Sequence, residues 1–153
     1  MLLKKEIERR FLLADGVNLA DILNKVDSYE WQFIQDIYLC KNVRLRYSNL
    51  DGFKLTIKFG SGLLRYEYEV SLPEFIYKYF FGRFKTLCKA RSSILYNNNI
   101  YELNDFLYDL VTIEVEFLDK ESAENITLPY WVGRDVTNDR NFNGYYLFKK
   151  YSE

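Results

Sequence analysis

Short runs in which apolar and charged residues alternate one by one dominate this sequence of 153 residues. Such alternation predicts strands with two unlike faces, because successive side chains of a strand point to opposite sides. The runs are rich in Val, Ile, Tyr, Phe and Thr, which favour strands. They lie at roughly 4–12, 37–39, 42–47, 54–59, 64–70, 85–95, 100–107 and 110–118. Eight strands in one short chain favour a mainly β (α+β) fold, an eight-stranded antiparallel barrel.

Two segments, 18–32 and 73–84, carry apolar residues at helical rather than alternating spacing. Both are predicted to be amphipathic helices that flank the barrel. Asn18 is the predicted N-cap of the first helix, and Pro73 suits the first turn of the second. A third short helix is expected near Asp119.

The C-terminal segment has no clear period. Residues 129–143 are expected to be irregular, followed by a closing helix from Phe142 onward. Cys40 and Cys88 are too few and too far apart to suggest a disulfide framework or a thiolate zinc site. The length predicts a single domain over residues 1–153. No apolar run approaches the roughly 20 residues of a membrane span, so we expect a cytoplasmic protein without a membrane partner.

Charge falls on one face of nearly every predicted strand. In the first run, Glu6, Glu8 and Arg10 share a face, and Ile7 and Phe11 share the other. A solvated outer face would mix in many neutral polar residues, which are nearly missing here. The shared-face set holds seven bases and seven acids, namely Arg10, Arg44, Arg46, Lys58, Arg65, Lys89, Arg91, Glu6, Glu8, Glu67, Glu69, Glu102, Glu114 and Glu116. We therefore predict that these faces line a tunnel inside the barrel.

A lining of this kind suits a ligand that carries both signs of charge. Guanidinium groups hold phosphate oxygens bidentately, and carboxylates hold Mg²⁺ or Mn²⁺ that bridges such oxygens. The chain has no histidine, which removes the commonest transition-metal ligand and leaves a hard ion held by oxygen. The formal net charge of −1 and the alternation of bases with acids argue against nucleic acid as a partner.

Residues 6–12, EIERRFL, resemble the Glu-x-Glu-x-Lys signature that opens CYTH domains, the triphosphate tunnel metalloenzyme family. Further matches follow in the family's order along nearly the whole chain. They are VRLR at 43–46, LTIKFG at 55–60, RYEYE at 65–69, KAR at 89–91, YELNDF at 101–106, IEVEF at 113–117 and PYWVGRDVTND at 129–139. The last segment resembles the bacterial tripolyphosphatase-like branch.

The resemblance implies divalent-metal-dependent hydrolysis of a small triphosphate, inorganic tripolyphosphate above all. It implies catalytic roles for Tyr38, Arg10 and Glu8. The implied metal carboxylates are Glu6, Glu8, Glu114, Glu116 and the supporting Glu69. The implied phosphate ligands are Arg10, Arg44, Arg46, Lys58, Arg65, Lys89 and Arg91. Two positions depart from the family pattern: Arg10 replaces a lysine that could lose a proton, and Asn104 replaces an acid.

Other functions stay open at this point. Residues 36–38, Asp-Ile-Tyr, also resemble the Asp-x-Tyr pattern of thiamine triphosphatases and class IV adenylate cyclases. A module that binds nucleotides or polyphosphate without catalysis is a further alternative, consistent with the two departures. A homodimer contact is left open if the helices leave part of the barrel uncovered.

Overall fold

The computed structural model describes residues 3–152, and eight of their strands close into an antiparallel barrel. The barrel order is β5-β4-β3-β2-β6-β7-β8-β1, and pairing of β1 with β5 closes it. The barrel strands are β1 Leu3–Leu13, β2 Glu30–Cys40, β3 Val43–Ser48, β4 Gly52–Ser61, β5 Leu64–Ser71, β6 Leu87–Tyr96, β7 Asn99–Asp105 and β8 Val111–Phe117. The predicted eight-stranded barrel is confirmed.

Within residues 3–152, four α-helices and one 3₁₀ turn accompany the strands. They are α1 Leu19–Leu23, α2 Glu74–Phe80, α3 Lys120–Glu124, a 3₁₀ turn Arg140–Phe142 and α4 Gly144–Tyr151. The N-cap predicted for α1 forms, since the Asn18 side chain accepts a hydrogen bond from the Asp21 N–H. Pro73, predicted in the first turn of the second helix, lies just before it, and α2 ends at Phe80 rather than at residue 84. No helix within residues 3–152 is long and apolar enough to span a membrane.

The helix predicted over residues 18–32 is wrong in its second half. Only Leu19–Leu23 is helical, and Glu30 already begins β2. Strand β2 pairs with β6 from Glu30 to Asp36, so its first residues gain ladder hydrogen bonds that a helix could not make with that neighbour. Tertiary pairing therefore overrides the helical spacing of this segment.

The C-terminal segment is more regular than predicted. A ninth strand, β9 Val132–Asp135, adds to β1 at Phe11 and Leu13 beyond the part of β1 that pairs with β5. Gly133 allows this approach, because a β-carbon there would lie 2.6 Å from the Leu13 carbonyl oxygen. Next to this pairing, the side chains of Arg9 and Asp135, 126 residues apart in sequence, form an ion pair of 2.7 Å.

Apolar residues pack on the outside of the barrel wall. One cluster lies under α1 and includes Phe11, Ile113, Val115 and Trp131. A second lies under α2 and joins Ile37, Leu45 and Tyr77. A third joins α4 to one end of the barrel through Leu147, Leu87 and Phe106, and these three residues line the cavity inside the barrel at that end. The hydrophobic core is thus two outer layers and one apolar end wall, which leaves the rest of the barrel interior to the charged faces.

Candidate active site in the barrel interior

A cavity of about 690 Å³ runs through the barrel, and side chains from all eight barrel strands line it. The predicted charged interior is therefore confirmed. Every one of the thirteen side chains predicted for the site lines this cavity. They are Glu6, Glu8, Arg10, Tyr38, Arg44, Arg46, Lys58, Arg65, Glu69, Lys89, Arg91, Glu114 and Glu116. The structure shows their position; their roles stay predictions.

Arg10 is the centre of a buried ion-pair network. Its Nε donates to Glu114 Oε1 at 2.9 Å, one terminal nitrogen donates to Glu8 Oε1 at 2.9 Å, and the other donates to the Phe142 carbonyl at 2.9 Å. Glu8 is also hydrogen-bonded by Arg65. Burial alone would lower the pKa of Arg10, but Glu114 and Glu8 outweigh it and hold that pKa above its ordinary value. Arg10 therefore stays charged at any pH the fold survives.

A second network surrounds Asp36, which was not predicted as a site residue. Its carboxylate accepts two hydrogen bonds from Arg46, at 2.7 and 2.8 Å, and lies 3.7 Å from Arg44 Nε. Burial alone would raise the pKa of Asp36, but Arg46 and Arg44 outweigh it and hold that pKa well below its ordinary value. The signal was available in the sequence. Once 30–40 is read as a strand, Asp36 falls on the same face as Tyr38.

Lys58 joins two further glutamates across strands β4, β1 and β5. Its Nζ lies 3.1 Å from Glu6 and 2.5 Å from Glu67. Burial, with help from Glu67 and Glu8, raises the pKa of Glu6 in spite of Lys58. The surroundings of Glu6 therefore oppose its negative charge.

One end of the cavity is open to water. Lys4 and Glu116 form an ion pair of 2.9 Å there, and their side chains are 57% and 47% exposed. Lys54 and Glu69 lie on other strands of the same end, 3.4 Å apart. Lys4 and Lys54 were not predicted as site residues, although both lie in phase with the charged faces of β1 and β4. Glu116 and Glu69 therefore occupy the mouth, whereas Glu8 and Glu114 lie deep.

Several cationic donors in the cavity lack an acceptor. The Nε atoms of Arg44 and Arg65 are buried and have no hydrogen-bond partner. Within residues 3–152, Lys89 Nζ has no carboxylate oxygen within 4.0 Å. Burial, followed by repulsion from Arg91, lowers the pKa of Lys89 well below its ordinary value. Buried donors without partners cost free energy that an anionic ligand would recover.

Tyr38 lies where the C-terminal segment covers the barrel. Its ring packs 5.9 Å from the Tyr145 ring and 5.4 Å from the Phe148 ring, centre to centre. Residue 144 must be glycine for this contact, because a β-carbon there would collide with the Tyr38 hydroxyl. Sequence analysis did not predict that the segment from Thr137 to Leu147 would line the cavity, because this segment lacks the alternation of apolar and charged residues that marks the strands.

Four of the five predicted metal carboxylates lie on the neighbouring strands β1 and β8, and Glu69 lies on β5. Glu8 and Glu116 are directly opposite each other in the β1–β8 ladder, and Glu114 lies opposite Arg10. Like charges placed opposite each other destabilise a sheet unless something neutralises them. Here bases do so: Arg10 and Arg65 for Glu8, and Lys4 for Glu116. Among the described residues, no three acidic, histidine or cysteine side chains already converge as a metal site.

A closed antiparallel barrel with paired charges inside defines a tunnel-type site for a small charged ligand. Known proteins share this architecture. The inorganic triphosphatase of Nitrosomonas europaea is 31% identical over 154 aligned residues, which cover 90% of this chain and 92% of that protein. The inorganic triphosphatase of Acetivibrio thermocellus is 30% identical over 148, covering 90% and 89%. A crystal structure of an inorganic triphosphatase matches with a TM-score of 0.60 at 26% identity, covering 93% of both chains.

The chain belongs to the inorganic triphosphatase family. No protein-family model matches it. Membership rests on near-complete coverage of two relatives and on the agreement of the barrel with a solved member.

Proposed function

We propose that this protein hydrolyses a phosphoric anhydride bond of inorganic tripolyphosphate inside the barrel, with Mg²⁺ or Mn²⁺ as cofactor. The observation that carries the proposal is a cavity of about 690 Å³ inside the closed barrel, with buried cationic donors that lack acceptors. Relatives that cover most of the chain are inorganic triphosphatases. The ordered motifs, the barrel and these relatives together support assignment to the CYTH domain of the triphosphate tunnel metalloenzymes.

The bases of the cavity would bind the phosphate oxygens. Arg44 and Arg65 each have a buried Nε free to donate, and Lys89 has no carboxylate partner among the described residues. Arg46 and Arg91 are held by carboxylates, which fix the planes of their guanidinium groups. Donors fixed in this way need little reorganisation when charge moves between phosphate oxygens during reaction.

The acids of the cavity fit a hard divalent cation by their chemistry. Glu6, Glu8, Glu114 and Glu116 supply carboxylate oxygens from adjacent strands, the ligand type that Mg²⁺ and Mn²⁺ prefer. In the structure these carboxylates bind bases instead. A metal–triphosphate complex offers phosphate oxygens to the bases and a cation to the acids. Each ion pair between a base and an acid would therefore be replaced by one contact of the base with phosphate and one contact of the acid with the metal. The bound cation would neutralise phosphate charge and acidify a water molecule.

Arg10 would position neighbouring groups rather than act as a base. Its guanidinium bonds to Glu8, Glu114 and the Phe142 carbonyl, and the two glutamates raise its pKa above the ordinary value. It therefore cannot replace a lysine as a base. We propose that it holds the two deep glutamates and can reach phosphate only through the second N–H of the nitrogen that donates to the Phe142 carbonyl, while Tyr38 bounds the covered end of the cavity near the attacking water.

Phosphate release tests the proposal directly. Purified protein would be assayed with tripolyphosphate, ATP or thiamine triphosphate, each with Mg²⁺, with Mn²⁺ and with EDTA. We expect tripolyphosphate with a divalent metal to give the highest kcat/KM, and EDTA to abolish release. Preference for thiamine triphosphate, or pyrophosphate release from ATP, would instead favour the other tunnel enzymes, and binding without turnover would favour a non-catalytic module.

The matched control for this assay is an exposed glutamate. Glu74 lies on α2 and, in the described part of the chain, pairs only with Lys78, so Glu74→Gln removes the same charge away from the cavity. It should leave kcat/KM unchanged, whereas Glu8→Gln should abolish turnover. Turnover that persists in Glu8→Gln, or without metal, contradicts the proposed site.

A further inference from the structure

Asn104 lies directly behind the cavity lining. Its side chain is on the inward face of β7, between Arg91 on β6 and Thr112 on β8 in the two ladders. The residue is 0% exposed, and it does not itself line the cavity. It therefore cannot touch a ligand and can act only through its neighbours.

The Asn104 amide joins a guanidinium to a carboxylate. Its Oδ1 accepts from Arg91 Nε at 2.8 Å, and its Nδ2 donates to Glu114 Oε2 at 3.2 Å. The second Nδ2 hydrogen reaches the Glu102 carbonyl at 3.4 Å. The Asn104 amide thus accepts from Arg91 through its oxygen and donates to Glu114 through its nitrogen.

In the network that this chain forms, the amide uses both its acceptor and its donor. A carboxylate accepts but does not donate when ionised, so Asp would keep the bond to Arg91 and repel Glu114. An apolar side chain of similar size would leave both neighbours without a partner. Arg91 would still bind Glu102 at 2.6 Å and Glu114 at 3.0 Å, but its Nε would be buried with no acceptor.

The two neighbours have opposite tasks in the proposed reaction. Arg91 is a proposed phosphate ligand, and Glu114 is a proposed metal ligand that also binds Arg10 at 2.7 Å. We propose that Asn104 is a positioning residue, whose amide fixes the orientation of Arg91 relative to Glu114 and so sets the rate of triphosphate hydrolysis. This inference rests on the proposed function.

The test compares Asn104→Asp and Asn104→Leu with the wild type. Melting temperatures would first establish a temperature at which each variant is fully folded, and kcat and KM for tripolyphosphate would then be measured there. Asn99→Asp is the matched control, since Asn99 is at the far end of β7 and, within residues 3–152, its side chain donates only to the Asn97 carbonyl. We expect kcat of both Asn104 variants to fall about 10- to 100-fold, because small misplacements of catalytic groups have effects of that size.

A merely structural role predicts a different result. In that case the folded Asn104 variants would retain kcat and KM within about twofold of the wild type and of Asn99→Asp, and the inference would be overturned. A fall in kcat shared by Asn99→Asp would overturn it as well.

A charge swap tests the bridge without any turnover. Asn104→Asp alone should lower the melting temperature by about 3–10 °C, because it buries like charges side by side and leaves a partner unsatisfied. Adding Glu114→Gln exchanges the amide and the carboxylate, so the double variant should lose less melting temperature than the sum of the losses of Asn104→Asp and Glu114→Gln measured singly, while hydrolysis falls further. Losses that simply add would overturn the bridge.

The melting temperatures separate a failure of the proposed function from a failure of the proposed role of Asn104. A wild-type protein that hydrolyses no triphosphate refutes the proposed function, and the inferred effect on the rate fails with it. The thermal measurements would then still decide whether Asn104 bridges Arg91 and Glu114.

Discussion

Along β8, Ile113 and Val115 point outward into the apolar cluster under α1, whereas Glu114 between them points inward to Arg10 and Arg91. Both faces are buried, but by different interactions. The outer face is stabilised by apolar surface removed from water, which depends on area and shape. The inner face is held by paired charges, whose burial is close to neutral in free energy as long as each partner is present.

The difference between the faces indicates where function can reside. Apolar contacts on the outside offer no group that a small ligand could replace. Ion pairs on the inside can exchange partners with a ligand that carries the same two signs of charge, because the desolvation cost of the side chains is already met. Breaking either face selectively should therefore separate stability from activity.

The largest effect is expected inside, at Glu114. Glu114→Gln removes a proposed metal carboxylate that also pairs with Arg10 and Arg91. We expect kcat/KM for tripolyphosphate to fall about 1,000-fold or more, since a charge placed at the reacting centre is lost. Phosphate release measures this effect, with Glu74→Gln as the surface control. A loss of less than tenfold would contradict the assignment of Glu114.

Asp36→Asn should show that the inner face also carries stability. The change leaves Arg46 and Arg44 with a neutral partner in a buried site, so we expect the free energy of unfolding at pH 7 to fall by about 3–5 kcal/mol. Urea denaturation measures this difference. Asp51→Asn at the exposed mouth is the control, and equal effects of the two would show that burial of the pair is unimportant.

The comparison of wild type with Asp36→Asn also predicts how their difference in stability depends on pH. The fold holds the pKa of Asp36 below its ordinary 3.8, so its stabilisation is fully present above that value and is lost as pH falls through the lower, folded value. The difference between wild type and Asp36→Asn should thus be constant from pH 7 to about 5 and shrink below about 4. Denaturation at pH 7, 5 and 3.5 checks this, and a difference that grows in acid would contradict it.

The outer face should respond in the opposite way to the inner one. Ile113 is 0% exposed in the cluster under α1, so Ile113→Ala should lower the free energy of unfolding by about 2–5 kcal/mol through lost burial and a cavity. At a temperature where the variant is folded, kcat should stay within about twofold of wild type. A large loss of kcat in the folded variant would show that the two faces are coupled.

The smallest effect is expected at Cys88, which alternates away from Lys89 and Arg91. Its sulfur faces outward and accepts a weak hydrogen bond from Gln35 at 3.7 Å. Cys88→Ser should change stability by less than about 1 kcal/mol and leave kcat/KM unchanged. Loss of activity, or protection of activity by reductant, would assign the thiol a role that the structure does not support.

The sequence allowed prediction of the strands wherever their alternation was long. Glu6 to Arg10 and Ile113 to Glu116 were placed on the correct faces because alternation is a local property of an extended chain. The first residues of β2 were missed, since Glu30, Trp31 and Gln32 mix helical and strand spacing and only pairing with β6 decides between them. Strand β9 was missed because its four residues pair with β1 from more than a hundred positions away.

The same limit explains what was missed at the site. Asp36 was left out because its strand was predicted too short, and the C-terminal lining was left out because it reaches the cavity through α4 packing on Leu87 and Phe106. Partner choice among the charges was also unpredictable. The sequence shows that seven acids and seven bases lie on the charged faces of the strands. Which base binds Glu8 depends on the register of β1 against β8 and β5.

By itself the sequence determined that each strand has one apolar and one charged face, and that the two signs of charge are balanced. Only the tertiary structure decided that the charged faces point inward. The reason is closure: pairing of β1 with β5 gives the sheet an inside, and α1, α2 and α4 then cover apolar faces that would otherwise meet water. The alternation of side chains is local, but which side of a sheet becomes enclosed depends on contacts between distant parts of the chain.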